Sequence, residues 1–261
     1  MLQDLNGQVA IVTGGSEGVG LATARLLASR GATVAICARR PAKLEEARKD
    51  LEQVGKVEAH QLDVADLAAY AALIEDVAAR HGRLDMLVNN AMSVFFLPLE
   101  ELTIENWRRD FAVNTEAVFI STQTAAKIMA KQEMNGRQRG SIVNISSTCG
   151  IRAPVRMSSY AASKAAMVHF TAAAAMDLAP HAIRVNCIVP GKVETTAGAA
   201  FAAGNSDLDR RIWDAIPMKR GGQPEELAEA IVFMLSEAAS FITGTALPVD
   251  GGKAAQLYMP D

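Results

Sequence analysis

Tyr160 and Lys164 stand four residues apart in the run Ser158-Ser159-Tyr160-Ala161-Ala162-Ser163-Lys164. At helical spacing they share one face. A free tyrosine titrates near ~10, too high for proton transfer at neutral pH. A neighbouring ammonium favours the phenolate and lowers that value. The pair therefore predicts a depressed phenol that gives or takes a carbonyl proton. Such pairs also occur on solvated helices, so the surroundings decide. Thirteen positions before Tyr160, Ser147 closes Val143-Asn144-Ile145-Ser146-Ser147. A serine hydroxyl there suits a substrate oxygen on which charge develops; Ser146 is the neighbouring alternative.

A second constellation opens the chain. Thr13-Gly14-Gly15-Ser16-Glu17-Gly18-Val19-Gly20 follows the apolar run Val9–Val12 and leads into a helical pattern. Glycine lets backbone approach a pyrophosphate without a Cβ, and the helix start offers free N–H groups and a positive dipole end. Strand, glycine turn and helix in that order predict a dinucleotide site at Gly14, Ser16, Glu17, Gly18, Val19 and Gly20. An acid ending the second strand commonly selects NAD. Here Ala38 stands there, followed by Arg39 and Arg40. A guanidinium fork binds a 2′-phosphate, so NADP(H) is the expected cofactor. NAD(H) is the alternative, favoured by the negative charge of Glu17.

The elements that must position these residues alternate along the chain. Apolar runs at Val9–Val12, Thr33–Cys37, Val57–Leu62, Leu84–Val88, Ser141–Ile145, Ile183–Val189 and Ala246–Val249 predict strands. Between them, helical patterns run Val19–Ser29, Pro41–Gln53, from Asp66 to Arg80, from Thr103 to Glu133, Ser158–Leu178 and Pro224–Leu235. Runs without polar alternation imply strands buried on both faces. Alternating βα units imply an α/β fold, a doubly wound, Rossmann-like parallel sheet in a single domain over residues 1–261. Residues 195–219, rich in Ala and Gly, fit neither sheet nor core helix and are a candidate lid.

The spacing Thr13-Gly14-xxx-Gly18-x-Gly20, with Ser147, Tyr160 and Lys164, resembles the short-chain dehydrogenase/reductase family in its short single-domain branch, over about residues 5–252. The resemblance implies hydride transfer between a nicotinamide and a carbonyl or alcohol. It also implies that Asn114 is a structural and proton-relay asparagine. Asp63 and Val64 would border the adenine, and Asn90 and Ala91 the cofactor. In Pro190-Gly191-Lys192-Val193-Glu194-Thr195, Val193 backbone groups would hold the carboxamide, and Thr195 its amide or the phosphates. The family's glycine after Ala91 is replaced by Met92, which is expected either to narrow the ribose or substrate side of the cleft or to alter the backbone there. Met92, Cys149 and Met157 are the expected substrate contacts, with Val94, Phe95, Phe96, Ile151 and Phe201 as apolar walls and Arg152 and Arg156 near the rim. A homotetramer or homodimer, built on the helices beginning near Thr103 and Ser158, is implied as well.

Composition limits other readings. The 261 residues are 50% hydrophobic with a formal charge of −3, giving no basic face for nucleic acid. No run is long enough to span a bilayer, and no targeting segment is visible, so a cytoplasmic protein without membrane partners is expected. Cys37, Cys149 and Cys187 form no CxxC pair and read as reduced thiols. The four histidines have no metal-ligand spacing, so no metal is expected. Two rival readings remain: a dinucleotide-sensing regulator without turnover, and an epimerase or dehydratase.

Overall fold

Consecutive strand residues face opposite sides of a sheet, and in the central strands of this protein both sides are apolar. The computed structural model describes residues 4–195 and 206–256. Strands β1 (Val9–Thr13), β2 (Thr33–Ala38), β3 (Lys56–Gln61), β4 (Met86–Asn89), β5 (Gly140–Ile145), β6 (Ile183–Pro190) and β7 (Ala246–Val249) form one parallel sheet. Their order is β3-β2-β1-β4-β5-β6-β7. Helices α1 (Gly18–Ser29), α2 (Pro41–Leu51), α3 (Leu67–His81), α4 (Ile104–Phe111), α5 (Ala117–Met129), α6 (Ser158–Leu178), α7 (Ser206–Asp214) and α8 (Pro224–Leu235) accompany it. Ala10, Val12, Val34 and Ile36 pack toward α1, α2 and α8. Ile11, Ala35, Leu87 and Ile142 pack toward α3, α5 and α6. The sheet is therefore doubly wound and Rossmann-like. Chain order reverses between β1 and β4, which opens a crevice at the carboxyl ends of the strands.

Caps set the helix boundaries. The Asp66 carboxylate accepts from the Ala69 N–H at 3.0 Å, and Thr103 and Asn106 form a reciprocal capping box; such caps contribute about 1 kcal/mol each. Buried Arg184 donates to the Leu235 and Ser236 carbonyls, fixing the end of α8 against β6.

Three expectations need correction. The helix read from Thr103 to Glu133 is not a single α-helix: α4 ends at Phe111, a π-helical turn covers Ala112–Glu116, and α5 ends at Met129. π turns are rare and frequent at functional sites, and Asn114, within this one, is wholly buried. β3 is an edge strand whose burial is only partial; its Glu58 pairs with Arg80 and His81. Residues 206–214 of the candidate lid form α7, while 196–205, including Phe201, lie outside the described residues.

Beneath the crevice runs a polar network that no local pattern announces. Tyr70 and Ser121 donate to the Asn89 side-chain oxygen, Oδ1, at 2.8 and 2.9 Å. Asn89 donates to Asn144, and Asn144 to Thr171, each at 2.9 Å. A fully satisfied buried network rigidifies what it joins. This one ties α3, α5 and α6 to the ends of β4 and β5.

Candidate active site

The glycine turn joins β1 to α1. Gly14 sits at φ +64°, and a Cβ there would meet the Asn90 amide nitrogen at 2.8 Å. At Gly20 a Cβ would collide with the Gly14 carbonyl oxygen. Glu17 precedes α1 without a side-chain capping bond, so the helix's first N–H groups keep their positive pole. This bare cradle fits a dinucleotide pyrophosphate. Asn90 braces it: its amide donates to the Thr13 carbonyl at 2.9 Å, while the Asn90 and Ala91 N–H groups donate to Thr13 Oγ1 at 2.9 and 3.0 Å. Asn90→Ala should lower stability by about 1 kcal/mol in urea unfolding and weaken NADPH and NADH binding alike.

At the end of β2, Ala38 leaves no carboxylate. Arg40 and Lys43 both pair with Glu17, Lys43 at 3.0 Å. Burial raises the Glu17 pKa, but the Lys43 hydrogen bond and the Arg40 charge outweigh it and hold the carboxyl low. Arg39 makes no ion pair among the described residues. Asp63 pairs with Arg109 at 2.8 Å. Burial opposes ionisation there too, and the Ala65 N–H and Arg109 overcome it, so Asp63 lies below the usual carboxylate range. Arg109 had no signal in the sequence, since only the fold brings α4 over the β3 end.

The second half of the chain supplies the reactive groups. Tyr160 and Lys164 are one turn apart in α6, 6% and 1% exposed. The expected depression of the tyrosine is not met. Burial pushes the Tyr160 phenol well up, against a lowering by the Ser147 hydroxyl. Burial also lowers Lys164 to about 8. The ammonium lies 5.8 Å from the Tyr160 ring centroid and donates to the Ile145 carbonyl at 2.7 Å. Desolvation penalises both charged forms and is the largest cause of both shifts.

The two serines differ. Ser146 is buried and donates to the Lys164 carbonyl at 2.9 Å. Ser147 is half-buried, and its oxygen accepts from the Cys149 N–H at 3.1 Å, leaving its proton for another acceptor. Asn114 does not reach the cleft. It donates to the Ser93 carbonyl at 2.8 Å and to Ser163 Oγ at 2.9 Å, and accepts from the Ser93 N–H at 3.0 Å.

A continuous cleft of about 640 Å³ joins the two halves. Every residue expected at the site lines it except Gly20 and Asn114. Among the expected walls, Val94 and Phe96 line it and Phe95 and Ile151 do not. Arg152 and Arg156 are also absent from its lining; Arg152 donates to the Ala254 and Ile151 carbonyls. After β6, Val193 bridges Gly222, with hydrogen bonds on either side from Gly222 N–H to Lys192 and from Glu194 N–H to Gly222. The N–H and C=O of Val193 itself have no partner among the described residues, which suits a ligand amide.

A doubly wound sheet, a glycine cradle at the switch point and a Ser–Tyr–Lys set in the same cleft define a dinucleotide-dependent enzyme class. Residues 14–254 match the family described as enoyl-(acyl carrier protein) reductase. The chain is 38% identical over 251 residues to the 3-oxoacyl-[acyl-carrier-protein] reductase FabG of Thermotoga maritima, covering 95% of this chain and 98% of that one. It is also 38% identical over 254 residues to the cis-4-hydroxycyclohexanecarboxylate dehydrogenase of Sinomonas cyclohexanicum, covering 95% and 97%. Its structure is similar to an NAD⁺-bound xylitol dehydrogenase, with TM-score 0.89 and 29% identity over 96% of this chain and 100% of that one. A structure from Agrobacterium tumefaciens with bound NADP gives TM-score 0.88 and 34% identity over 97% and 98%. The chain belongs to the short-chain dehydrogenase/reductase family. It is an NAD(P)-dependent oxidoreductase acting on CH–OH or C=O groups.

Proposed function

We propose that this protein is an NADP(H)-preferring carbonyl reductase or alcohol dehydrogenase with Tyr160 as general acid/base. The observation that carries this reading is that Ser147, Tyr160 and Lys164 open on the same cleft as the glycine cradle. The nicotinamide, when bound, supplies or accepts the hydride. The glycine turn from Gly14 to Gly20 cradles its phosphates, Val64 and Asp63 border the adenine, and Ala91, Pro190, Gly191, Val193 and Thr195 orient the reactive end. Ser147 donates to the substrate oxygen. In reduction, Tyr160 Oη gives that oxygen its proton. Lys164 lies one turn along α6, and its positive charge stabilises the phenolate that forms. Asn114 holds the Ser93 turn and α6 in register and is a relay only if water reaches it. The high pKa of buried Tyr160 keeps it a neutral acid, the state that carbonyl reduction uses.

NADP preference is supported by Ala38 and by Arg39. Glu17 opposes it by occupying Arg40 and Lys43. Arg39→Asp should weaken NADPH by roughly tenfold or more, the loss of one charge-assisted hydrogen bond, and NADH by much less. Glu17→Gln frees two cations and should tighten NADPH selectively. Fluorescence titration of both cofactors checks this; equal changes for NADPH and NADH reject the 2′-phosphate site and favour the NAD reading. NADPH oxidation with ketone substrates tests the chemistry, and saturable cofactor binding without turnover would instead favour a sensor.

Three unpaired cysteines, two of them buried, support a reducing, cytoplasmic setting. No helix among the described residues is long and apolar enough to cross a membrane. Exposed Ile104, Trp107 and Phe119 on α4 and α5 support a homotetramer or homodimer formed through these helices.

A further inference from the structure

Met92 sits where the family pattern has glycine, and its sulfur lies 4.0 Å from Tyr160 Oη. Its main chain is held on both sides. On one side the Ala91 N–H donates to Thr13 Oγ1. On the other, the Ser93 N–H and carbonyl both bond the Asn114 side-chain amide, and the Ser93 hydroxyl donates to Asp110 at 2.7 Å. Asp110 is wholly buried, and its second oxygen accepts from Ser159, the residue before Tyr160, at 2.6 Å. One carboxylate thus joins the turn bearing Met92 to the helix start bearing Tyr160. The side chain itself remains 54% exposed in the cleft. A fixed backbone therefore presents a flexible, polarizable thioether to the phenol.

A thioether is a weak acceptor, so a substrate oxygen readily takes its place at the phenol. The space is a different matter. A carbonyl within hydrogen-bond reach of Tyr160 must bring one substituent alongside Met92. A slim group leaves the side chain a free rotamer; a bulky one does not. Among the described residues, Val94, Phe96, Cys149 and Met157, which line the same cleft, carry no carboxylate, ammonium or guanidinium. We propose that Met92 is a specificity-determining residue, selecting uncharged, apolar ketones and secondary alcohols with a slim substituent on the Met92 side of the reacting carbon. This rests on the carbonyl-reductase reading above and adds the shape and polarity of its substrate.

The test compares cyclohexanone with 2-tert-butylcyclohexanone on wild type, Met92→Gly and Met92→Leu, measuring kcat/KM with NADPH. Binding of both ketones is read in parallel from the fluorescence of NADPH bound to Tyr160→Phe and to Tyr160→Phe/Met92→Gly. Met92→Gly should raise the bulky-to-slim ratio by roughly tenfold or more, the scale of a few methylenes in an apolar pocket. Met92→Leu, of similar volume, should keep the wild-type ratio, and NADPH affinity should be the same in all three. A ratio unmoved by Met92→Gly, or a change in NADPH affinity that accounts for it, overturns the proposal. If neither ketone is turned over, the binding arm still decides it, while the missing turnover counts against the carbonyl-reductase reading alone.

Discussion

Tyr160→Phe should lower kcat by roughly 10³-fold while leaving NADPH affinity within a few-fold of wild type. The substitution removes only the hydroxyl, and a positioned acid or base typically contributes 10²–10⁴-fold. The ring stays packed in α6, and the groups proposed to hold the cofactor, at the glycine cradle and at Val193, are untouched, so its affinity has no reason to change. The pH profile adds a second signature. Lys164 is lowered to about 8 by burial, so its ammonium is present below that pH and lost above it. Tyr160 is raised and stays a neutral acid throughout. Reduction should therefore hold level near neutrality and fall above about pH 8, as the charge that stabilises the forming phenolate disappears. A rate that rises through pH 8 would reverse these assignments.

Ser147→Ala should lower kcat by roughly 10²-fold or more, the usual effect of removing one donor to a developing oxyanion. Ser146→Ala should behave differently. Its hydroxyl is buried and bonded to the Lys164 carbonyl, so its loss should cost about 1–2 kcal/mol of stability with less than a tenfold change in kcat. Steady-state kinetics and urea unfolding on the two variants separate the roles. The opposite pattern would make Ser146 the donor.

Much of this arrangement was legible in the sequence because it is local. The Ser158–Leu178 and Pro224–Leu235 helices and the Ala246–Val249 strand have the bounds read from hydrophobic period and Pro placement. The glycine turn was legible because a strand, a turn and a helix follow one another directly. What escaped was made by packing. The π turn at Ala112–Glu116 answers to Ser93 and Ser163, which are distant in sequence from Asn114. The Tyr70–Asn89–Asn144–Thr171 network joins four elements, and the Asp110 bridge joins two serines 66 positions apart. The direction of the Tyr160 shift departs from the sequence expectation because helical spacing reveals a nearby charge but not the depth of burial. The sequence shows Glu17 as a charge against NADP, but only the fold brings Lys43, in the first turn of α2, to pair with it.

The central claim is Tyr160-dependent hydride transfer. It is tested most directly by following NADPH oxidation across a panel of uncharged ketones, acyl thioesters and sugars with wild type and Tyr160→Phe side by side. Wild-type turnover on at least one carbonyl class, falling roughly 10³-fold in Tyr160→Phe with NADPH still bound, is the predicted result. Equal turnover by the two proteins would contradict it.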